Sequence, residues 1–192
     1  MNNTISFEED IKNAINTLTK GGVLLYPTDT IWGVGCDATL YSAVQKIFEI
    51  KKRSPFKSMI ILVNDLQMIY DYVSEPDHRL LQAMKNAATP TTAIFSNAKN
   101  LAKNLINSNG SVAIRFTEEK FCSELISKLK KPIVSTSANI SDQPSPHNFS
   151  EIDPALFSDV DYVVHYRRDD SDKKNPSQII RINDKGEIER VR

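Results

Sequence analysis

Apolar positions along the chain fall into two alternating patterns, helical spacing and short unbroken runs. In "SFEEDIKNAINTLTKGG", Phe7, Ile11, Ala14, Ile15 and Leu18 recur at helical intervals. Ser6 and Glu9 match a capping box, and Gly21-Gly22 supplies the stop. "VLLYP" (23–27) is wholly apolar, which predicts a strand buried on both faces. A second helix is predicted over 41–52, with Leu40, Ala43, Val44, Ile47 and Phe48 on one side, and "MIILV" (59–63) is another buried strand. Weaker helical patterns cover 65–72 and 77–87. "TTAIFS" (91–96) and "SVAIRF" (111–116) read as strands, "EEKFCSELISKLK" (118–130) as a helix, and "PIVST" (132–136) as a strand. "DYVVHY" (161–166) is a further strand, and "PSQIIRINDKGEIERVR" reads as a hairpin turning at Asn183 to Gly186. Alternating strands and helices predict an α/β sandwich, and the terminal hairpin makes its sheet mixed. With no repeat, low-complexity tract or linker, 1–192 is expected to be a single domain without an additional C-terminal domain. "SDQPSPHNFS" (141–150) reads as a polar surface loop.

Composition narrows the class. The chain is 40% hydrophobic and 25% charged, ordinary for a globular protein that can build a sizeable core. Lys+Arg and Asp+Glu both number 24, so the basic excess of a generic nucleic-acid binder is missing, although a local basic groove stays open. Cys36 and Cys122 lack metal-ligand spacing and read as buried thiols of a reducing compartment. His78, His147 and His165 also lack such spacing and read as surface residues. No apolar stretch approaches about 20 residues, so neither a signal peptide nor a membrane span is expected and the location expected is the cytoplasm.

Polar chemistry collects where apolar strands end. "YPTDTIWGVGCD" (26–37) runs from a strand into Thr28, Asp29 and Thr30, with Gly33 and Gly35 allowing close backbone approach. It fits a structural turn or a site, but neither a Rossmann nor a P-loop pattern. "KKRSPFK" (51–57) fits a solvated helix C-terminus or an anion site in which Arg53 makes bidentate contacts. Arg115 interrupts an apolar strand on the face opposite Ile114 and Phe116, so it needs an ion pair or a polar cavity. "PIVSTSAN" (132–139) ends with Ser135, Thr136, Ser137 and Asn139. Thr28, Arg115 and the 135–139 cluster lie near strand ends, where ligands bind in open α/β sheets, and so are expected to line one cavity. Cations and small donors suit a phosphorylated, carboxylate-bearing ligand.

In this order, "LLYPTDTIWGVGCDA", "IFEIKKRSPFK", "SVAIRF", "PIVSTSANISDQPSP" and "PSQIIRI" resemble the YrdC-like threonylcarbamoyl-AMP synthases over nearly the whole chain. The resemblance implies a twisted open sheet with a positively lined concave groove. It also implies synthesis of L-threonylcarbamoyl-adenylate and pyrophosphate from L-threonine, bicarbonate or CO2, and ATP with Mg²⁺. The product would pass to a separate tRNA-modifying transferase complex. Thr28, Arg115, Ser135 and Ser177 match threonine-side positions. Lys51 and Arg53 match the catalytic, phosphate-binding "KxR" pair. Ser111, Ser137, Asn139, Ser145 and Arg192 match the ATP side, with Arg190 the competing alignment for Arg192. Ser54 stands where the family commonly has proline, and Ser177-Gln178 where it has Ser-Thr. Two other readings stay open. One is a non-catalytic module of similar fold holding double-stranded RNA or tRNA. The other is a carbamoyl-adenylate domain like those of hydrogenase-maturation proteins, which sit within much longer chains.

Overall fold

Each helix begins and ends where local chemistry dictates. In the computed structural model, which describes residues 5–54 and 59–192, the Ser6 hydroxyl accepts the Glu9 N–H at 3.2 Å and opens α1 (Phe7–Thr19). Ile11, Ala14 and Leu18 are buried on one face, as the spacing predicts, but so is Asp10. Its carboxylate accepts the Tyr162 hydroxyl and the backbone N–H groups of His165 and Tyr166, which compensates its burial. β1 (Leu24–Tyr26), β2 (Gly33–Gly35), α2 (Tyr41–Ile50) and β3 (Ile60–Val63) follow. The helical pattern over 65–72 yields only α3 (Ile69–Tyr72). Asp77 caps α4 (His78–Asn86), and β4 (Thr91–Phe95), β5 (Val112–Phe116), α5 (Lys120–Leu129) and β6 (Ile133–Ser137) complete the centre. The C-terminal part holds a 3-10 turn at Phe149–Glu151, α6 (Ala155–Asp159), β7 (Tyr162–Val163), β8 (Gln178–Ile182) and β9 (Ile188–Arg190). Pro55, Phe56 and Lys57 of the basic run lie outside the described residues.

One nine-stranded mixed sheet has the order β7-β1-β2-β6-β3-β5-β4-β8-β9. Parallel pairs (β7 with β1, β3 with β5, β4 with β8) mix with antiparallel ones, including the predicted β8–β9 hairpin. β2 escapes the hydrophobic pattern because two of its three residues are glycine, and the reason is steric. A Cβ on Gly35 would lie 2.0 Å from the Val134 carbonyl oxygen and 2.7 Å from the Tyr26 ring. The expected strand 161–166 shrinks to two residues because the N–H groups of His165 and Tyr166 bond Asp10 instead of a neighbouring strand.

Register decides which side chains share a face. Ser135, Ile60, Ala113 and Ile94 are paired in one row across β6, β3, β5 and β4. Leu62, Arg115, Thr92 and Ile179 form the next row across β3, β5, β4 and β8. Ile114 and Phe116 alternate to the other face. α4 packs against β4, β5 and β8, and α5 against β3 and α1. Both thiols are free and buried, and the three histidines are exposed, as expected.

Candidate substrate cavity

Ser135, Ile60, Ala113 and Ile94 of one row, with Arg115 and Ile179 of the next, line a cavity of about 350 Å³, within the range of small-molecule sites. Small side chains in this sheet face leave the space: Gly33, Ala113, Ser135 and Ser137 all line it. The turn after β1 contributes Thr30, Ile31 and Trp32, the loop after β6 contributes Ser145, and the C-terminal hairpin contributes Ser177, Val191 and Arg192. Seven of the eleven residues singled out from sequence therefore meet here: Arg53, Arg115, Ser135, Ser137, Ser145, Ser177 and Arg192. Arg192, not Arg190, reaches the wall. Its Nε and Nη2 donate to the Ser177 carbonyl at 3.2 and 3.1 Å, while Arg190 Nε donates to the Arg192 carbonyl.

Thr28, Lys51, Ser111 and Asn139 lie beside or behind this wall. Thr28 is buried; its hydroxyl donates to the Ile31 carbonyl at 2.8 Å and accepts the Thr30 N–H at 3.0 Å, shaping the turn. The expectation that the Thr28 side chain lines the shared cavity gives way to Thr30. Ser111 accepts Asn107 Nδ2 at 3.0 Å and lines an adjoining, wider groove, with Asn107 and Ile94 bordering both spaces.

Lys51 departs furthest from a solvated basic run, being 1% exposed. Its amine donates to the Ser137 and Asn139 carbonyls and meets Asn139 Oδ1 at 3.4 Å, while its own carbonyl accepts the Ser141 N–H. Burial, with a smaller push from Arg53, lowers its pKa to about 7. Asn139 in turn donates to the Gln143 carbonyl at 2.6 Å. Lys51 thus braces the polar turn after β6 from behind. Burial also lowers the Arg53 pKa, opposed by Asp142.

Arg115 combines both readings of its strand position. It is 3% exposed, and Nη2 lies 3.0 Å from Asp29 Oδ1. The pair is close but misaligned for hydrogen bonding, so Arg115 Nε and Nη2 and Asp29 Oδ1 remain without hydrogen-bond partners although buried. Such groups are expensive to leave unmade, and a ligand carboxylate would satisfy the guanidinium. Nearby, the hydroxyls of Thr92 and Ser177 bond each other at 2.8 Å, and Thr92 is the cross-strand neighbour of Arg115. Burial lowers the Arg192 pKa, and the like charge of Arg115 lowers it further. Three arginines around one cavity give it a positive lining that suits an anion.

From sequence, Thr30 is named only as part of a polar strand end, and Trp32, Thr92 and Asn107 are not singled out. Thr30 and Trp32 stand inside a stretch already marked as polar. Thr92, a hydroxyl in an apolar strand, carries the same kind of signal as Arg115. Asn107 has none, because only the fold brings it to the cavity. Among the described residues, no three His, Cys, Asp or Glu side chains gather as a metal-holding group, and no helix is long and apolar enough to cross a membrane.

The sequence profile of the Sua5/YciO/YrdC family, described as "Telomere recombination", matches residues 16–192. The chain belongs to this family. The threonylcarbamoyl-AMP synthase of Xanthomonas euvesicatoria pv. vesicatoria is 31% identical over 159 residues, spanning 81% of this chain and 84% of that protein. The E. coli YciO crystal structure superposes with a TM-score of 0.79 at 24% identity, covering 95% of this chain and 87% of that one. The structure of P. abyssi Sua5 complexed with L-threonine gives 0.80 at 21% identity, covering 92% of this chain and 51% of that one. This member of the Sua5/YciO/YrdC family therefore spans about half the length of that Sua5 chain. At these identities the two structures establish the shared fold.

Proposed function

We infer that this chain makes L-threonylcarbamoyl-AMP and pyrophosphate from L-threonine, bicarbonate or CO2, and ATP. The observation that carries this reading is the buried guanidinium of Arg115, ion-paired with Asp29 yet with Nε and Nη2 lacking hydrogen bonds, in a cavity with two further arginines. Family membership and the threonylcarbamoyl-AMP synthases among its relatives support it.

The threonine amine adds to CO2 and loses a proton, giving a carbamate. A carbamate oxygen then attacks the α-phosphorus of ATP, and the bond to the β-phosphate oxygen breaks to release pyrophosphate. Neither step needs a covalent enzyme intermediate; both need orientation, exclusion of water and positive charge near the phosphates. Arg115 takes the threonine carboxylate, flanked by Ser135 and by Ser177 with Thr92. Arg53, Arg192, Ser137 and Ser145 meet the nucleotide phosphates, and Ser111 with Asn107 serves the nucleotide end. Lys51 adds charge and holds the turn bearing Ser137 and Asn139. Thr28 acts through the shape of its turn. Mg²⁺ would enter with the ATP substrate and offset phosphate charge there beside Arg53 and Arg192. The product is a mixed carbamic–phosphoric anhydride, and in the cytoplasm a separate transferase would consume it on tRNA.

Incubation with ATP, Mg²⁺, labelled bicarbonate and single amino acids tests the reading. Pyrophosphate release should require both bicarbonate and threonine. No release under any combination, together with tight binding of double-stranded RNA, would favour the non-catalytic module instead.

A further inference from the structure

Arg167 lines no part of the main cavity, and its sequence surroundings carry no motif, yet it joins three segments that frame the site. Its backbone is left-handed, with φ 64°. Its Nη1 donates to the Thr28 carbonyl at 3.1 Å and to Glu119 Oε1 at 3.2 Å, and its Nε donates to Asp170 Oδ2 at 2.6 Å. Glu119 is itself fixed, because its other oxygen accepts the Cys122 N–H at 2.9 Å and caps α5. Asp170 opens the polar segment that leads to Pro176 and Ser177 in the cavity wall. On the remaining side, Thr28 precedes Asp29, the partner of Arg115, and Thr30 to Gly33, which also line the cavity.

We propose that Arg167 is a positioning residue for the amino-acid end of the cavity. By tying the Thr28 carbonyl to the α5 cap and to the 170–177 segment, it sets Asp29 and, through Asp29, the guanidinium of Arg115. The chemistry favours arginine over any other side chain. A planar fork donates in several fixed directions, whereas a lysine ammonium at the end of a flexible stem does not reproduce them. Bonds with charged partners are the strong ones, and here two carboxylates hold the guanidinium while a third N–H direction grips a neutral carbonyl. A left-handed arginine persists only where its surroundings over-determine it, which these contacts do. The proposal deepens the threonylcarbamoyl-AMP reading and rests on it for its kinetic arm.

The test compares wild type with Arg167→Lys and Asp170→Asn, the latter removing a half-exposed partner with little risk to folding. Three quantities are measured: amide hydrogen exchange over residues 28–33, the emission of Trp32, and KM for threonine and for ATP from pyrophosphate release. In Arg167→Lys, exchange over 28–33 should accelerate, and threonine KM should rise about tenfold while ATP KM moves less than about threefold. Asp170→Asn should move the same quantities in the same direction by about threefold. Because both residues act through Asp29, adding Arg167→Lys to Asp29→Asn should raise threonine KM little further. Unchanged exchange over 28–33, a parallel rise in both KM values, or fully additive effects in the double variant would overturn the proposal. If wild type makes no threonine-dependent product, the functional reading fails on its own. Exchange and Trp32 emission in Arg167→Lys then still decide whether Arg167 holds the turn.

Discussion

Lys51 and Arg115 are both buried basic residues at the cavity or behind its wall, but they are buried for different reasons and should fail differently. Arg115 is ion-paired with Asp29 but leaves Nε and Nη2 without hydrogen bonds at the cavity. Arg115→Ala should therefore raise the threonine requirement by tenfold or more, on the order of the 1.5–3 kcal/mol of a charged hydrogen bond, and change ATP dependence little. An unaltered threonine KM would remove the carboxylate role. Lys51 is different, because its amine is already spent on the Ser137 and Asn139 carbonyls. The resemblance treats Lys51 and Arg53 alike, as one phosphate-binding pair. Arg53 lines the cavity, whereas the Lys51 amine lies behind its wall, so loss of Lys51 should cost stability as well as activity. The Lys51 amine titrates near 7 in the folded protein against 10.5 ordinarily. Between those values the unfolded chain holds a proton that the folded chain has shed, so this group makes stability rise with pH across that window. Below about pH 7 the cost of burying the charge is present in full. The stability of wild type relative to Lys51→Met, followed by chemical denaturation, should increase from pH 7 to about 10. A difference that stays flat would contradict the buried amine.

At the scale of elements, β2 shows how a strand can exist without a hydrophobic pattern. Gly35 lies against β6 so closely that a side chain is excluded, a Cβ on Gly33 would be tight at 3.2 Å from Ser135 Oγ, and the Tyr26 ring packs against Gly35. Gly35→Ala should cost about 2–3 kcal/mol or more, since its Cβ meets backbone at 2.0 Å and the backbone cannot swing away. Gly186→Ala is the control. It has open space around it but φ 77°, so it should cost only about 1 kcal/mol, read from the same thermal melts. Equal effects at the two positions would mean that β2 does not need this close approach. The long apolar elements were legible in sequence because burial of a face imposes its period on the residues. Some of the short ones were not. α6 is five residues long, too brief for a period to show, and α3 fills only the end of the helical pattern over 65–72. β7 is cut short by hydrogen bonds to Asp10, a residue distant in sequence.

Across the whole molecule, the zero net charge conceals a local concentration of arginine. The two facts are compatible because charge balance is a sum over the surface, while an anion site depends on which few charges face one cavity. The chain's single tryptophan, Trp32, lies in that cavity wall and is packed against Phe149 at 4.8 Å between ring centroids. Titration with ATP or threonine should therefore give a saturable change in intrinsic emission, and the ATP response should weaken with added salt. Emission indifferent to both ligands would place the substrates elsewhere.

The sequence by itself determined the α/β class, the order of the longer helices and strands, and the residue types of the site. These follow from periodicity, caps and polar groups set where apolar runs end, all of which are local. Only the tertiary structure decided which of those polar groups face the cavity. Arg115, Ser135 and Ser177 face it because strand register places them on one side of the sheet. Lys51 and Thr28 face inward because their hydrogen-bond partners lie across a turn or on another strand. Arg167 joins three segments from a stretch with no motif at all. Register and long-range hydrogen bonds depend on pairs of residues far apart in the chain, and no local pattern encodes such a pair.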